Sequence, residues 1–433
     1  MTKARTKRRL TDQKKPGALS KSTPKARVEH AGAPPLPSVG SGGISLRPEK
    51  ASTGELSELI SYLETRQPAM IQSIRHMVEM ESPSHHKKSV DLLGERLAEA
   101  FREIGGEVQF HRGGKFGAHL QVDFASNAKR SPVLLLGHFD TVWDLGTLAT
   151  MPFREADGRL WGPGVLDMKS GIAQMIFAIE ALGRLHGKLP RPVTVLLVTD
   201  EEVGSESSRP ITESIAKKCG AVLVVEPSFG LEGALKTARK GVGDYTLRVK
   251  GHAAHAGLDF EKGASAILEL SRQLVEIAKF TDLKQGITVN AGVVRGGTRT
   301  NVIPDEAEAE FDLRIAAATQ AKTMNRKFRA LKPFDSRCQL EVSGGINRPP
   351  LERTEKVVGL FRTAQKIAAE IGWHLDEASV GGGSDGNFTA GLGIPTLDGL
   401  GAVGEGAHAR NESVLISELV RRTALLAQLI EEV

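Results

Sequence analysis

Beyond residue 54 the chain carries two kinds of apolar pattern. Segments 56–80 and 89–104 repeat apolar residues at helical spacing, the second through Leu92, Leu93, Leu97 and Phe101. Short runs of buried-strand type follow at 119–124, 132–136, 193–198 and 221–225. Between the second and third runs, Ile172, Met175, Ile176, Ile179 and Leu182 recur on one helical face. Uninterrupted strands alternating with helices predict a mostly parallel sheet covered on both faces.

Near residue 237 the style changes. Segments 245–249, 288–294 and 307–315 alternate apolar and polar residues, and 339–342 reads as one more strand. Helical patterns cover 264–279 and 320–331. The order β-α-β-β-α-β predicts a small ferredoxin-like α+β unit with one sheet face exposed. After Pro349-Pro350 the long-helix style returns, with helices expected at 355–371 and 416–431. The expected fold is therefore α/β, a mixed and mostly parallel sheet flanked by helices, with an inserted ferredoxin-like α+β domain. The expected boundaries are 1–50 for a basic tail, 51–237 and 348–433 for the two parts of the main domain, and 238–347 for the insertion.

Composition refines this. The 433 residues are 40% hydrophobic and 25% charged, ordinary for a soluble protein. No run approaches the roughly 18 apolar residues of a membrane helix, so no membrane partner is expected. The net charge of +5 is misleading, because residues 1–50 carry 12 Lys/Arg against Asp12, Glu29 and Glu49. The remaining chain carries 45 Lys/Arg and 49 Asp/Glu, which points away from nucleic acid as a partner. The first 50 residues, with Lys3, Arg5, Lys7, Arg8 and Arg9 before a Pro/Gly/Ser stretch, are expected to be a disordered tail. An anion-binding arm is the alternative for them. Arg8-Arg9 has no apolar segment behind it to make an export signal, so a cytoplasmic location is expected. Cys219 and Cys338 have no CxxC spacing and make no disulfide framework.

Candidate chemistry gathers at strand ends and the loops after them, where open α/β sheets place ligands. His138 and Asp140 follow the run 132–136, and strand period two puts them on one side. This suits an imidazole ligand with a carboxylate orienting it, although a polar turn closing a strand looks the same. Asp167 lies between a glycine-rich turn and a helix start, where an ordinary N-cap also fits. Asp200, Glu201 and Glu202 follow a buried strand, an expensive place for three carboxylates without a cation or solvent. Glu226 ends another apolar strand, and His408 sits in a glycine-rich loop. Two imidazoles with several carboxylates suit zinc better than calcium or magnesium. The Glu201-Glu202 doublet offers one carboxylate for metal and one for a proton.

These motifs, in this order and spacing, resemble the dizinc aminoacylase and carboxypeptidase superfamily, most closely its carboxypeptidase G-type glutamate carboxypeptidases. The resemblance spans about residues 55–433. It implies two zinc ions per subunit bridged by Asp167, with His138 and Glu226 completing one site and Glu202 and His408 the other. It implies Glu201 as general base, Asp140 as support for His138, and a cis peptide at Asp167-Met168. In the insertion, 251–257 (GHAAHAG) resembles the segment whose second histidine, here His255, reaches a partner subunit's active site. Asn301, Arg314 and, more weakly, Arg348 resemble groups contacting the substrate carboxylate or the transition state. Segment 381–386 (GGGSDG), with Gly383 and Ser384, resembles a glycine loop lining the substrate pocket. Ser170 and Ser384 depart from the residues usual there, glycine and threonine, without touching the metal set.

The implied function is zinc-dependent hydrolysis of an amide bond next to a free carboxylate, releasing C-terminal glutamate from peptides or N-acyl-glutamates. Alternatives are an N-acyl amino acid deacylase of acetylornithine or succinyl-diaminopimelate type, a dipeptidase, and a non-catalytic binding homologue. A small peptide or N-acyl amino acid is the expected substrate, and a homodimer through the inserted domain the expected assembly.

Overall fold

Six strands build the main sheet, in the order Glu107–His111, His119–Phe124, Val193–Val198, Val133–His138, Ala221–Val224 and Thr396–Leu397. The first two pairings are antiparallel and the rest parallel. These come from a computed structural model that describes residues 53–433; the basic tail expected at 1–50 lies outside the described residues. The described residues fall in one compact unit.

Burial explains why the central strands are almost wholly apolar, with Thr194 and the terminal His138 as their polar positions. Val133 and Leu135 face one apolar cluster with Val193, Val195 and Leu197. Leu134 and Leu136 face another with Leu196, Val198 and Val224. Each such side chain contributes roughly 1.5–3 kcal/mol when fully buried, so both faces must be covered. Helices Thr53–Glu79, Ser170–His186, Glu355–Glu370 and Ile416–Glu432 supply residues to the first cluster. Arg209–Ala216, a helix the apolar pattern did not announce, covers the second through Ile215 and Ala216. Helix Lys87–Glu103 buries Leu93, Leu97 and Phe101, but Leu92, expected on the same face, is 59% exposed. One residue is about 100° of helix, enough to turn Leu92 out beside a buried Leu93.

The inserted unit has its own antiparallel sheet, ordered Thr288–Gly296, Glu306–Ile315, Gly241–Lys250 and Gln339–Arg348. Helices Ala266–Ala278 and Ala318–Arg329 cover one face around Leu247, Phe311 and Phe328. The alternating burial of 306–315 matches the alternation in its sequence. The strand Leu235–Arg239 pairs with Glu377–Val380 instead, and the chain enters the inserted sheet at Gly241 and leaves it after Arg348. A further small sheet joins Arg154–Ala156, Arg159–Trp161, Gly404–Glu405 and Ser413–Leu415. No helix among the described residues is long and apolar enough to cross a membrane.

Candidate active site and metal centre

Three parallel strands end side by side, and their C-terminal ends carry the chemistry. His138 closes the middle strand; Asp200, Glu201 and Glu202 follow the strand on one flank, and Glu226 follows the strand on the other. Asp167 arrives from the turn before helix Ser170–His186, and the peptide Asp167–Met168 is cis. Gly164, in that turn, has φ +71°, and a Cβ there would come within 2.7 Å of Thr141 Cγ2.

Contacts run through this group as a chain. His138 Nε2 lies 3.1 Å from Asp167 Oδ1 and 3.5 Å from Glu226 Oε1. His408 Nε2 lies 3.3 Å from Asp167 Oδ2 and 3.2 Å from Glu202 Oε2. Asp167 thus stands between the two imidazoles. Donor atoms of His138, Asp167 and Glu202 are mutually within 4.8 Å, and so are those of His138, Glu201 and Glu226. His408 sits in the left-handed region at φ 60° and is 51% exposed, leaving the group open on that side.

The donor set fits divalent cations. His138 Nδ1–H donates to the Asp140 carbonyl at 3.0 Å, which leaves Nε2 as the lone-pair atom in the neutral ring. Glu202 Oε1 is buried with no hydrogen-bond partner. Burial opposes charge on His138, yet hydrogen bonds to Asp140, Asp167 and Glu226 outweigh it and raise its pKa well above the usual value. Hydrogen bonds to Asp167 and Glu202 raise that of His408 to about 10. The surrounding carboxylates thus favour positive charge at both rings, the charge that a cation held by these atoms would supply. Burial pushes Glu202 upward, against the pull of His408. In Asp167 and Glu226, burial is outweighed by the histidines, with Arg239 helping at Glu226, and both are held low.

The three consecutive carboxylates are compensated separately. Asp200 accepts from Ser207 N and Ser207 Oγ, both at 2.7 Å. Glu201 pairs with Arg348 at 2.9 Å, and Glu202 meets His408. Burial raises the Glu201 pKa well above that of a free carboxyl, with Arg348 opposing.

Asp140 differs from expectation in detail. Its backbone carbonyl makes the close contact to His138, and its carboxylate lies 3.5 Å from Nδ1. That carboxylate accepts from Ser84 Oγ at 2.7 Å and from the Glu201 and Glu202 amides at 3.4 and 3.3 Å. It therefore ties the His138 strand to the Glu201-Glu202 turn.

The residues expected at the substrate divide. Arg314 is half-buried; it holds Asp312 at 2.7 Å and reaches Gly381 O at 3.4 Å, beside the glycine loop. Ser384 is the correction: its hydroxyl donates to Asp398 at 2.6 Å and its amide to Asn387 at 3.0 Å, so both donors are spent inside the protein. Gly383 gives room rather than a contact, because a Cβ there would come within 3.0 Å of Arg348 Cδ. Arg348 is likewise turned inward, 7% exposed, onto Glu201 and Asp385 instead of toward a substrate carboxylate. His255 and Asn301 are exposed in the inserted unit; His255 Nδ1 accepts from Gly257 N at 3.1 Å, in its own loop.

Two residues that bear on this geometry were not singled out from sequence. Glu412, fully buried, accepts from Trp143 Nε1 at 2.8 Å, Gly164 N and Leu166 N at 2.9 Å, and Asp167 N at 3.1 Å. Arg239 joins Glu226 at 3.3 Å to Asp398 at 2.7 Å. Glu412 lies four residues after His408 in the same loop, the one local signal that could have marked it.

The sequence profile of Peptidase family M20/M25/M40 matches residues 134–432. Carboxypeptidase G2 of Pseudomonas sp. (strain RS-16) is 28% identical over 372 residues, covering 84% of this chain and 89% of the relative. Succinyl-diaminopimelate desuccinylase of Dechloromonas aromatica (strain RCB) is 27% identical over 363 residues, covering 79% and 92%. Aminopeptidase PepT from Bacillus cereus ATCC 10987, a solved structure, superposes with a TM-score of 0.68 at 22% identity. It covers 84% of this chain and 98% of its own, a likeness of fold.

Proposed function

The chain belongs to Peptidase family M20/M25/M40 and is a metal-dependent peptidase or amidohydrolase, and on that premise we propose that it releases C-terminal glutamate from peptides or N-acyl-glutamates. The observation that carries the hydrolytic part is the contact chain His138–Asp167–His408, flanked by Glu226 and Glu202, with Glu201 beside it. The glutamate part is supported by the likeness to carboxypeptidase G2 and by Arg314 standing next to the glycine loop.

In this reading His138, Asp167 and Glu226 would hold one zinc ion, and Asp167, Glu202 and His408 the other. When bound, such a pair polarises the amide carbonyl and acidifies water. Glu201 takes the proton of the attacking water and hands it to the leaving amine nitrogen, as acid–base work in amide hydrolysis requires. Asp140 keeps the Glu201-Glu202 turn in register with His138. Arg314, its Nε and Nη2 held by Asp312, offers Nη1 to the free carboxylate of the substrate, together with Asn301.

The test is amino-acid release by zinc-loaded protein. The panel comprises N-benzoyl and N-acetyl amino acids and alanyl dipeptides ending in Glu, Asp, Ala, Leu or Lys. Chelator-sensitive release favouring Glu is expected. Preference for another terminal residue, or for a succinylated amine, would move the specificity toward a desuccinylase-like or dipeptidase role.

The inserted unit is proposed to close over the site and to pair with a second copy. Its strand Thr288–Gly296 lies at the edge of the sheet, with Val294 54% exposed, next to helix Ala266–Ala278 with Leu268 59% and Val275 63% exposed. An unpaired edge bordered by apolar side chains is a place where strands add. His255 would then steady the developing oxyanion in the partner's site. Val294→Lys with Leu268→Glu should sediment as a monomer and lose most turnover. A fully active monomer would remove the trans role of His255.

A further inference from the structure

Arg348 ends the strand Gln339–Arg348 and is followed by Pro349-Pro350, where the chain returns from the inserted unit. Its Nη2 donates to Glu201 Oε1 at 2.9 Å, the Glu201 carbonyl at 3.0 Å, Ser205 Oγ at 2.8 Å and Asp385 Oδ1 at 3.1 Å. Ser205 Oγ also donates to Asp385, closing a ring of contacts behind the guanidinium. The guanidinium carbon stands 5.3 Å from the centre of the Phe388 ring. Next door, Asn347 Nδ2 donates to Gly204 O at 3.0 Å, and Arg209 Nη1 donates to Asn347 O at 2.9 Å. The end of the inserted sheet is thus stitched to the turn 201–205.

An arginine that grips a substrate carboxylate has to present two parallel N–H groups to it. In Arg348 the Nη2 hydrogens are shared among four protein acceptors, and Nε is buried. What it holds instead is both ends of one residue, the carboxylate and the backbone carbonyl of Glu201. A glutamate side chain has three rotatable bonds, and fixing it removes orientational freedom that would otherwise be lost at each proton transfer.

We infer that Arg348 is a positioning residue acting through Glu201, not a substrate-binding one, with Asp385 and Ser205 aiming its guanidinium. This rests on the reading of Glu201 as general base. It also makes the attachment of the inserted unit and the orientation of the base one piece of structure.

The test uses zinc-loaded protein and the fastest substrate of the panel above. Arg348→Met is expected to lower kcat roughly tenfold to 100-fold, with KM changed by less than about threefold. Arg348→Lys should recover part of kcat, since an ammonium can still reach Glu201 Oε1. The same substrate should bind Glu201→Gln and the Glu201→Gln/Arg348→Met pair with equal Kd, read by calorimetry. A Kd at least tenfold weaker in the pair, or a raised KM with kcat kept, would make Arg348 a substrate ligand and overturn the inference; so would an unchanged kcat. If Arg348→Met does not fold, Arg348→Lys and its Glu201→Gln pair carry the same comparison of kcat with Kd. Wild-type turnover by Glu201→Gln alone would instead defeat the base assignment, a result visible before Arg348 is touched.

Discussion

Glu201→Gln protein is expected to bind two zinc ions per chain and to turn over about 10²–10⁴-fold more slowly than wild type. The substitution is nearly isosteric, and a glutamine oxygen can still accept from Arg348 Nη2, which also keeps its bond to Asp385. The metal set proposed here does not include Glu201, so zinc content measured by atomic emission should not change. Loss of turnover with zinc retained would isolate the proton-transfer step. Turnover within about tenfold of wild type would remove Glu201 from that step, because acid–base catalysis contributes more than this. Loss of zinc together with turnover would place Glu201 among the ligands, which its closeness to His138 and Glu226 makes a real alternative.

The second large effect is expected at Glu412. Burial pushes its pKa upward, while the amides of Asp167, Gly164 and Leu166 and the Trp143 indole hold it down. Glu412→Ala leaves four donors without an acceptor, the buried amides of Gly164 and Leu166 and the part-buried Asp167 amide and Trp143 indole, and each orphaned buried donor costs about 1–3 kcal/mol unless water enters. A net loss of about 2–4 kcal/mol is expected in urea unfolding of the metal-free protein. Because the same donors fix the loop that carries Asp167, zinc retention should weaken about 10–100-fold, the range seen when partners behind metal ligands are removed. Competition with a chelating dye reads this without any substrate. An Ala variant that keeps wild-type zinc affinity would show that the Asp167 loop holds itself.

Much of this was legible in the chain because strand and helix periodicity is local. A strand buried on both faces has few polar positions, so runs such as 133–136 and 195–198 announce themselves, and the residues just after them are the ones an open sheet exposes. The alternation of 306–315 likewise marks a sheet with one covered face. Periodicity was weaker where an element is short: helix Arg209–Ala216 and the pairs around 159–161 and 413–415 are fixed by what they pack against.

Local pattern also says nothing about the partner of a charge. From sequence, Asp200, Glu201 and Glu202 were one expensive cluster. In the structure Ser207, Arg348 and His408 divide them, although Asp200 Oδ1 and Glu202 Oε1 each remain buried without a hydrogen-bond partner. Ser384 and Arg348 sit in segments with the chemistry of a substrate pocket, yet both point inward.

The sequence by itself determined the longer buried and alternating strands, the change of pattern near residue 237, and which acids and histidines stand at strand ends. Only the tertiary structure decided their company. The sheet is ordered 193–198, 133–138, 221–224, and this crossover sets His138 between the Glu201-Glu202 turn and Glu226. Glu412 reaches Gly164 across 248 residues of sequence, and Arg348 reaches Glu201 across 147. Such contacts arise from how whole elements pack, and hydrophobic spacing records only which face of an element is buried, not which distant polar group will meet it there.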